Sequence, residues 1–194
     1  MSTHTGRHMS QSQHFDNILV IGMGNVLMQD EGIGVRAVEE LDSRYDVSDH
    51  VTLVDGGTTG MELFGPMRQA DCLIVADAVN APLPPGSLVR IADSEINAFF
   101  QTKLSNHQLG LSDLLALLKL KNEMPRRVVI IGMVPFELNN QLGLSQPAAA
   151  ALEGMVDMLV QELQSAGAQV SARAQVQTGH WHQQAQLEVQ TACA

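Results

Sequence analysis

Three short runs limit what this chain can fold into. Asn17–Gly22 (NILVIG), Cys72–Ala76 (CLIVA) and Arg127–Val134 (RVVIIGMV) are apolar at successive positions, not at alternate ones. A strand apolar on both pleat faces must be covered on both, which is the habit of strands inside a parallel sheet. The intervening segments supply the covers. Gly32–Tyr45 places Ala37, Val38, Leu41 and Tyr45 at helical spacing. Leu111, Leu114, Leu115 and Leu118 do the same further on, and Ser145, with Pro147 just inside, opens a last helix striped by Leu152, Met155, Val156, Leu159, Val160 and Leu163 and ended by Gly167. Val51–Val54 reads as a further strand and Ser87–Ile91 as an edge strand. Thr59 and Glu62 suggest a capping box for a short helix ending near Gly65-Pro66, and Ser105 with Gln108 a second cap. The expectation is a three-layer α/β fold, a twisted, mostly parallel five-stranded sheet sandwiched between helices.

The chain's 194 residues suffice for one domain. Residues 1–15 form a polar leader, expected to be disordered. Residues 16–167 form the single α/β domain, and residues 168–194 a flexible tail rich in Gln, Ala and Ser. The formal charge of −10 argues against nucleic acid as a partner, because a phosphate backbone needs a basic face. No segment approaches a membrane span, and no apolar stretch marks a signal peptide at the start. The two cysteines, Cys72 in an apolar run and Cys193 in the tail, form no disulfide framework. That pattern suggests a reducing, cytoplasmic setting.

In open parallel sheets, sites lie beyond the carboxyl ends of the strands. Gly22-Met23-Gly24-Asn25 follows the first strand, Asp55-Gly56-Gly57-Thr58 the second and Asp77 the third, while Glu31 precedes the first helix. Carboxylates gathered on one rim repel one another unless a proton or cation sits among them, and Arg36 is the only basic residue in these first turns. The cluster therefore suggests a metal site. Simpler roles remain open: Asp55 and Asp77 as turn residues, Asp30 and Glu31 as acids favoured at a helix start, a reading that suits Asp30 better. Of seven histidines, five lie in the leader and tail and His50 precedes a strand, on the opposite edge. His107 is left, a residue type that is commonly mere surface at a helix start but also one that nickel or zinc takes beside carboxylates. Met23, Leu27, Met28 and Phe64 could line a dock for a peptide or belong to the core.

Common hydrolase signatures are missing: there is no H-E-x-x-H, no G-x-S-x-G, and no cysteine beside a histidine. Gly22-x-Gly24 with Asp55 invites a dinucleotide reading, but Leu27 stands where the third glycine belongs, and the helix starts late.

Taken together, Gly22–Arg36 (GMGNVLMQDEGIGVR), Asp55–Gly60 (DGGTTG), Asp77-Ala78 and His107–Leu111 (HQLGL) resemble the nickel–iron hydrogenase maturation endopeptidases, most of all members serving uptake-type hydrogenases. The resemblance spans about Asn17 to Gly167. It implies a twisted sheet flanked by helices. It also implies removal of a short C-terminal peptide from the precursor of a hydrogenase large subunit once nickel is inserted, with the cut after a basic residue, usually histidine. By position it assigns Glu31, Asp77 and His107 as metal ligands and Asp55 as the further acid linked to activity. Nickel would come with the substrate, and zinc or cadmium could replace it in crystals. A nucleotide-binding oxidoreductase and a non-catalytic nickel-delivery module are the alternatives.

Overall fold

The computed structural model describes residues 14–58, 60–96 and 109–177. In chain order the elements are β1 (Ile18–Met23), α1 (Ile33–Arg44), β2 (Tyr45–Val47), β3 (Val51–Gly57), α2 (Phe64–Gln69), β4 (Cys72–Ala78), β5 (Leu88–Ala92), α3 (Leu109–Leu120), β6 (Arg127–Met133), α4 (Gln146–Ser165) and β7 (Val170–Ala172), with short 3-10 turns at Gln29–Gly32 and Met61–Leu63. The main sheet has the order β3-β1-β4-β6-β5. β3, β1, β4 and β6 are parallel, and β5 closes one edge antiparallel to β6. This is the expected five-stranded, mostly parallel sheet.

The doubly apolar runs are buried on both faces, as their composition requires. In β1, Ile18 and Val20 pack with α1 and α4, while Leu19 and Ile21 pack with α2 and α3. β4 repeats the alternation with Ile74 against Leu73 and Val75, and β6 with Val129 and Ile131 against Val128 and Ile130. Each such side chain, once fully buried, contributes roughly 1.5–3 kcal/mol. The last helix is capped as expected: the Ser145 hydroxyl accepts from Ala148 N at 3.3 Å.

Three boundaries differ from the sequence reading. Phe15, placed in the leader, is fully buried in the core on the α1/α4 side. Gly65-Pro66 does not end α2 but lies in its first turns, where the missing proline N–H removes no helical bond. The fold also continues past Gly167. β7 pairs antiparallel with β2, Tyr45 opposite Ala172, and Arg173 donates to the Tyr45 carbonyl at 3.1 Å and meets Asp46 at 3.2 Å. Thr59 and Ser105 with Gln108, the expected caps, lie outside the described residues. Among the described residues, no helix is long and apolar enough to cross a membrane.

Candidate active site

The chain passes from β1 to β3 on one side and then returns to β4 on the other. The strand order therefore reverses about β1, and in sheets of this kind the crevice at such a switch point lies at the carboxyl ends of the strands. Register places the acids around it. Gly22 of β1 lies opposite Asp55 on one side and Ala76 on the other, so Asp77 stands one residue further up the rim. Two strand spacings, ~10 Å, separate the β3 and β4 backbones. Pleat phase also divides them: Asp77 continues the Leu73, Val75 series toward α2 and α3, and Asp55 falls in the opposite series, toward α1.

Glu31 reaches the rim because the link from β1 to α1 is a tight nine-residue turn. Gln29 within it is buried and takes the left-handed region, φ 51°. Close backbone approach makes the turn possible. A Cβ on Gly24 would fall 1.8 Å from the Glu31 carbonyl oxygen, and one on Gly34 would fall 2.1 Å from the Ala76 carbonyl oxygen. These glycines thus serve protein packing. The loop that would cradle a pyrophosphate is filled by the chain's own turn, and α1 begins only at Ile33, which disfavours the dinucleotide alternative.

Glu31 and Asp77 are brought together. Asp77 is half-buried as a residue, but its carboxyl is well shielded: loss of hydration pushes its pKa up to about 7, against the pull of a hydrogen bond from the Ala78 N–H, and the nearby Glu31 charge raises it further. The Oε2 atom of Glu31 is buried from solvent. Two carboxylates in a dehydrated crevice fit a cation between them. Among the described residues no three or more His, Cys, Asp and Glu side chains converge to hold a metal. The third expected ligand, His107, lies outside the described residues.

Asp55 stands apart from that pair. Its Oδ1 accepts from the Gly57 N–H at 2.9 Å, bracing a turn in which Gly57 takes φ 47°. Asp55 is exposed as a residue, yet the protein around its carboxyl removes enough water to raise its pKa; the Gly57 bond opposes this, Glu39 adds to it and Arg36 pulls it down. Arg36 is ion-paired with Glu39 at 2.6 Å. Sequence reasoning missed Glu39, although its place three residues after Arg36 on a helix was a usable signal.

Asp30 stands in the first turn of the Gln29–Gly32 helix, as its reading as a helix-start acid expects, but it is also fully buried and receives bonds from the segment between β6 and α4, which that reading did not foresee. Its main partner, Ser145, is 115 positions away, and no local pattern announces that. Of the four residues considered for a peptide dock, Met23 is core, Met28 and Phe64 are half-buried, and Leu27 is exposed at 60%.

Residues 35–162 match the family model described as hydrogenase maturation protease. The chain is 41% identical over 157 residues to the hydrogenase 2 maturation protease of Escherichia coli, covering 80% of this chain and 96% of that one. It is 44% identical over 159 residues to the hydrogenase expression/formation protein HoxM of Azotobacter vinelandii, covering 81% and 77%. The structure of the hydrogenase maturating endopeptidase HybD from E. coli superposes with a TM-score of 0.78 over 81% of this chain and 98% of that chain, at 41% identity. A hydrogenase maturation protease HybD from Thermococcus kodakarensis gives 0.62 over 75% and 98%, at 26%. The chain is therefore a peptidase and belongs to the hydrogenase maturation protease family.

Proposed function

We propose that this peptidase removes a short C-terminal peptide from the nickel-loaded precursor of a nickel–iron hydrogenase large subunit, and that it grips the precursor's nickel with Glu31, Asp77 and His107. The observation that carries this reading is the pairing of Glu31 and Asp77 in a dehydrated crevice at the switch point, with the Asp77 carboxyl held near neutrality. A bound cation would relieve both the repulsion and the lost hydration. Oxygen and nitrogen donors suit nickel, zinc or cadmium. His107 joins the set on the family resemblance, and α3, which opens two positions after it, covers the face toward which Asp77 is phased. Two carboxylates and an imidazole leave positions for the precursor's own ligands, so nickel serves as checkpoint and anchor. Asp55, about two strands away, takes the chemical role: it orients or deprotonates the water that attacks the scissile amide. The buried, reduced Cys72, whose thiol is pushed up to about 11 by burial, fits a cytoplasmic protein.

The test uses purified protein and nickel-loaded precursor, with loss of C-terminal mass as the readout. Glu31→Gln, Asp77→Asn and His107→Ala are expected to lose retention of the loaded precursor on immobilised protease as well as cutting. Asp55→Asn should retain it and cut about 10²- to 10⁴-fold more slowly. An intact precursor after incubation with the wild-type chain overturns the activity. Full retention by the three ligand variants overturns the nickel grip, and wild-type cutting by Asp55→Asn reduces Asp55 to a turn residue.

A further inference from the structure

Asp30 and Glu31 are neighbours in the chain with opposite duties. Glu31 raises the charge cost of Asp77 across the crevice, whereas Asp30 turns into the segment between β6 and α4. The Asp30 carboxylate accepts four hydrogen bonds there. Oδ1 takes Ser145 N at 2.7 Å, and Oδ2 takes Glu137 N at 3.0 Å, Phe136 N at 3.1 Å and the Ser145 hydroxyl at 2.9 Å. Backbone bonds reinforce the joint: Gln29 N donates to the Gln141 carbonyl at 3.0 Å, Asp30 N to the Glu137 carbonyl at 3.3 Å, and Met28 forms a bridge with Gln141.

The acceptor count explains why the residue is an aspartate. Three backbone N–H groups and one hydroxyl converge on a fully buried point, and only a carboxylate offers two oxygens with no donor of its own. Burying that charge is costly, so a residue with a packing role alone would be apolar. The carboxylate joins two segments that lie 106 or more positions apart in the chain, and one of them carries Glu31. A turn with a buried, left-handed Gln29 needs such a restraint if the next side chain is to keep its aim.

We infer that Asp30 is a positioning residue of the active site, a clamp that holds the Gln29–Gly32 turn against the β6–α4 segment and thereby fixes the Glu31 carboxylate for capture of the nickel-loaded precursor. The inference rests on the proposed role of Glu31 in that capture. It assigns to Asp30 the support that outer groups give to metal ligands, whose loss typically weakens the site about 10- to 100-fold.

Asp30→Asn keeps the shape but turns an NH₂ donor toward donors. It is compared with Glu31→Gln, and with a Leu163→Ala control that removes core packing far along α4. KM and kcat for nickel-loaded precursor are measured below every unfolding transition, and amide exchange is followed in the precursor-free proteins. Asp30→Asn should raise KM about 10- to 100-fold with a smaller change in kcat, and speed exchange at the amides of Phe136, Glu137 and Ser145. Leu163→Ala should lower Tm and leave KM unchanged. If Glu31→Gln raises KM but Asp30→Asn does so no more than Leu163→Ala, the clamp is only structural and the inference is wrong. If Glu31→Gln itself behaves as wild type, the proposed nickel grip fails first. Should Asp30→Asn not fold, Ser145→Ala removes one of the four bonds and is expected to raise KM about 2- to 10-fold, with Ser145→Thr restoring it. An unchanged KM in Ser145→Ala overturns the inference equally.

Discussion

The crevice acid Asp77 gives the structure a measurable signature in the chain without precursor or metal. Its carboxyl is pushed from the ordinary 3.8 up to about 7, mostly by burial. The folded chain therefore holds a proton that the unfolded chain releases between those values. The stability tied to this group is fully present below pH 3.8 and is lost as pH rises through about 7. At 1.36 kcal/mol per pH unit, the full loss comes to roughly 4 kcal/mol. Asp77→Asn supplies the comparison, since a neutral amide can still accept from the Ala78 N–H but has no charge to desolvate. Urea unfolding followed by circular dichroism, with a chelator present, measures both proteins from pH 4.5 to pH 8.5. Subtracting one curve from the other cancels the remaining titrating groups. The variant should be more stable than the wild type by about 1 kcal/mol at pH 4.5, where the unfolded carboxyl has already lost most of its proton, and by about 4 kcal/mol at the alkaline end. A difference that stays flat with pH, or that favours the wild type above pH 7, refutes the claim that Asp77 sits dehydrated beside Glu31.

Other consequences follow from the same geometry. Gly34→Ala would set a methyl group 2.1 Å from the Ala76 carbonyl and 2.5 Å from that of Met23, lifting α1 off the strands; a stability loss of about 3 kcal/mol in urea and a fall in processing are expected, the latter because Ala76 precedes Asp77. Glu162→Gln strips the partner from Arg90, at 2.5 Å, and from Arg127, at 2.6 Å, with Glu162 itself 7% exposed; unfolding should show a loss of about 3 kcal/mol while processing of precursor at low temperature is unchanged. If ionised Asp55 acts on the attacking water, kcat should fall on the acid side with a midpoint above 3.8; Arg36→Met should move that midpoint up and Glu39→Gln move it down, as read from full pH–rate profiles.

The main sheet could be read from sequence because its strands carry a signal that burial enforces. β1 is apolar throughout, β4 is apolar up to Asp77 and β6 after Arg127, and β5 was recognisable as an edge by its shorter, mixed run. β2 and β7 escaped because each has three residues and only one side to bury; β7 also sits in a stretch whose composition suggests a loose tail. The end of α2 was misplaced because proline is a helix breaker in general but harmless in a first turn. At the site, a carboxylate's position on the rim follows from its place at a strand end, so Asp55 and Asp77 were legible. What each faces does not follow from position. Asp30 and Glu31 are adjacent, yet one is a fully buried hydrogen-bond hub and the other a rim acid, and only the fold brings Ser145 to the first.

The glycines show how one pattern can serve two chemistries. In a dinucleotide fold, the turn after the first strand is short so that the following helix can present its N–H groups to a phosphate. Here the same strand end leads into a longer turn, and the chain closes on itself: Gly22 lies under the Gly34 carbonyl, Gly24 under that of Glu31, and Gly32 against the Val26 backbone. Any Cβ at those points would come within 2.8 Å of backbone. The space that could hold an anion is thus occupied by peptide, and what emerges at the switch point is the Glu31 carboxylate beside Asp77. A helix terminus that would attract negative charge has been exchanged for side chains that repel it. On the proposed reading, that charge favours a cation over an anion, and Asp55, offset by two strands, is free to act on a peptide bond without competing for the cation.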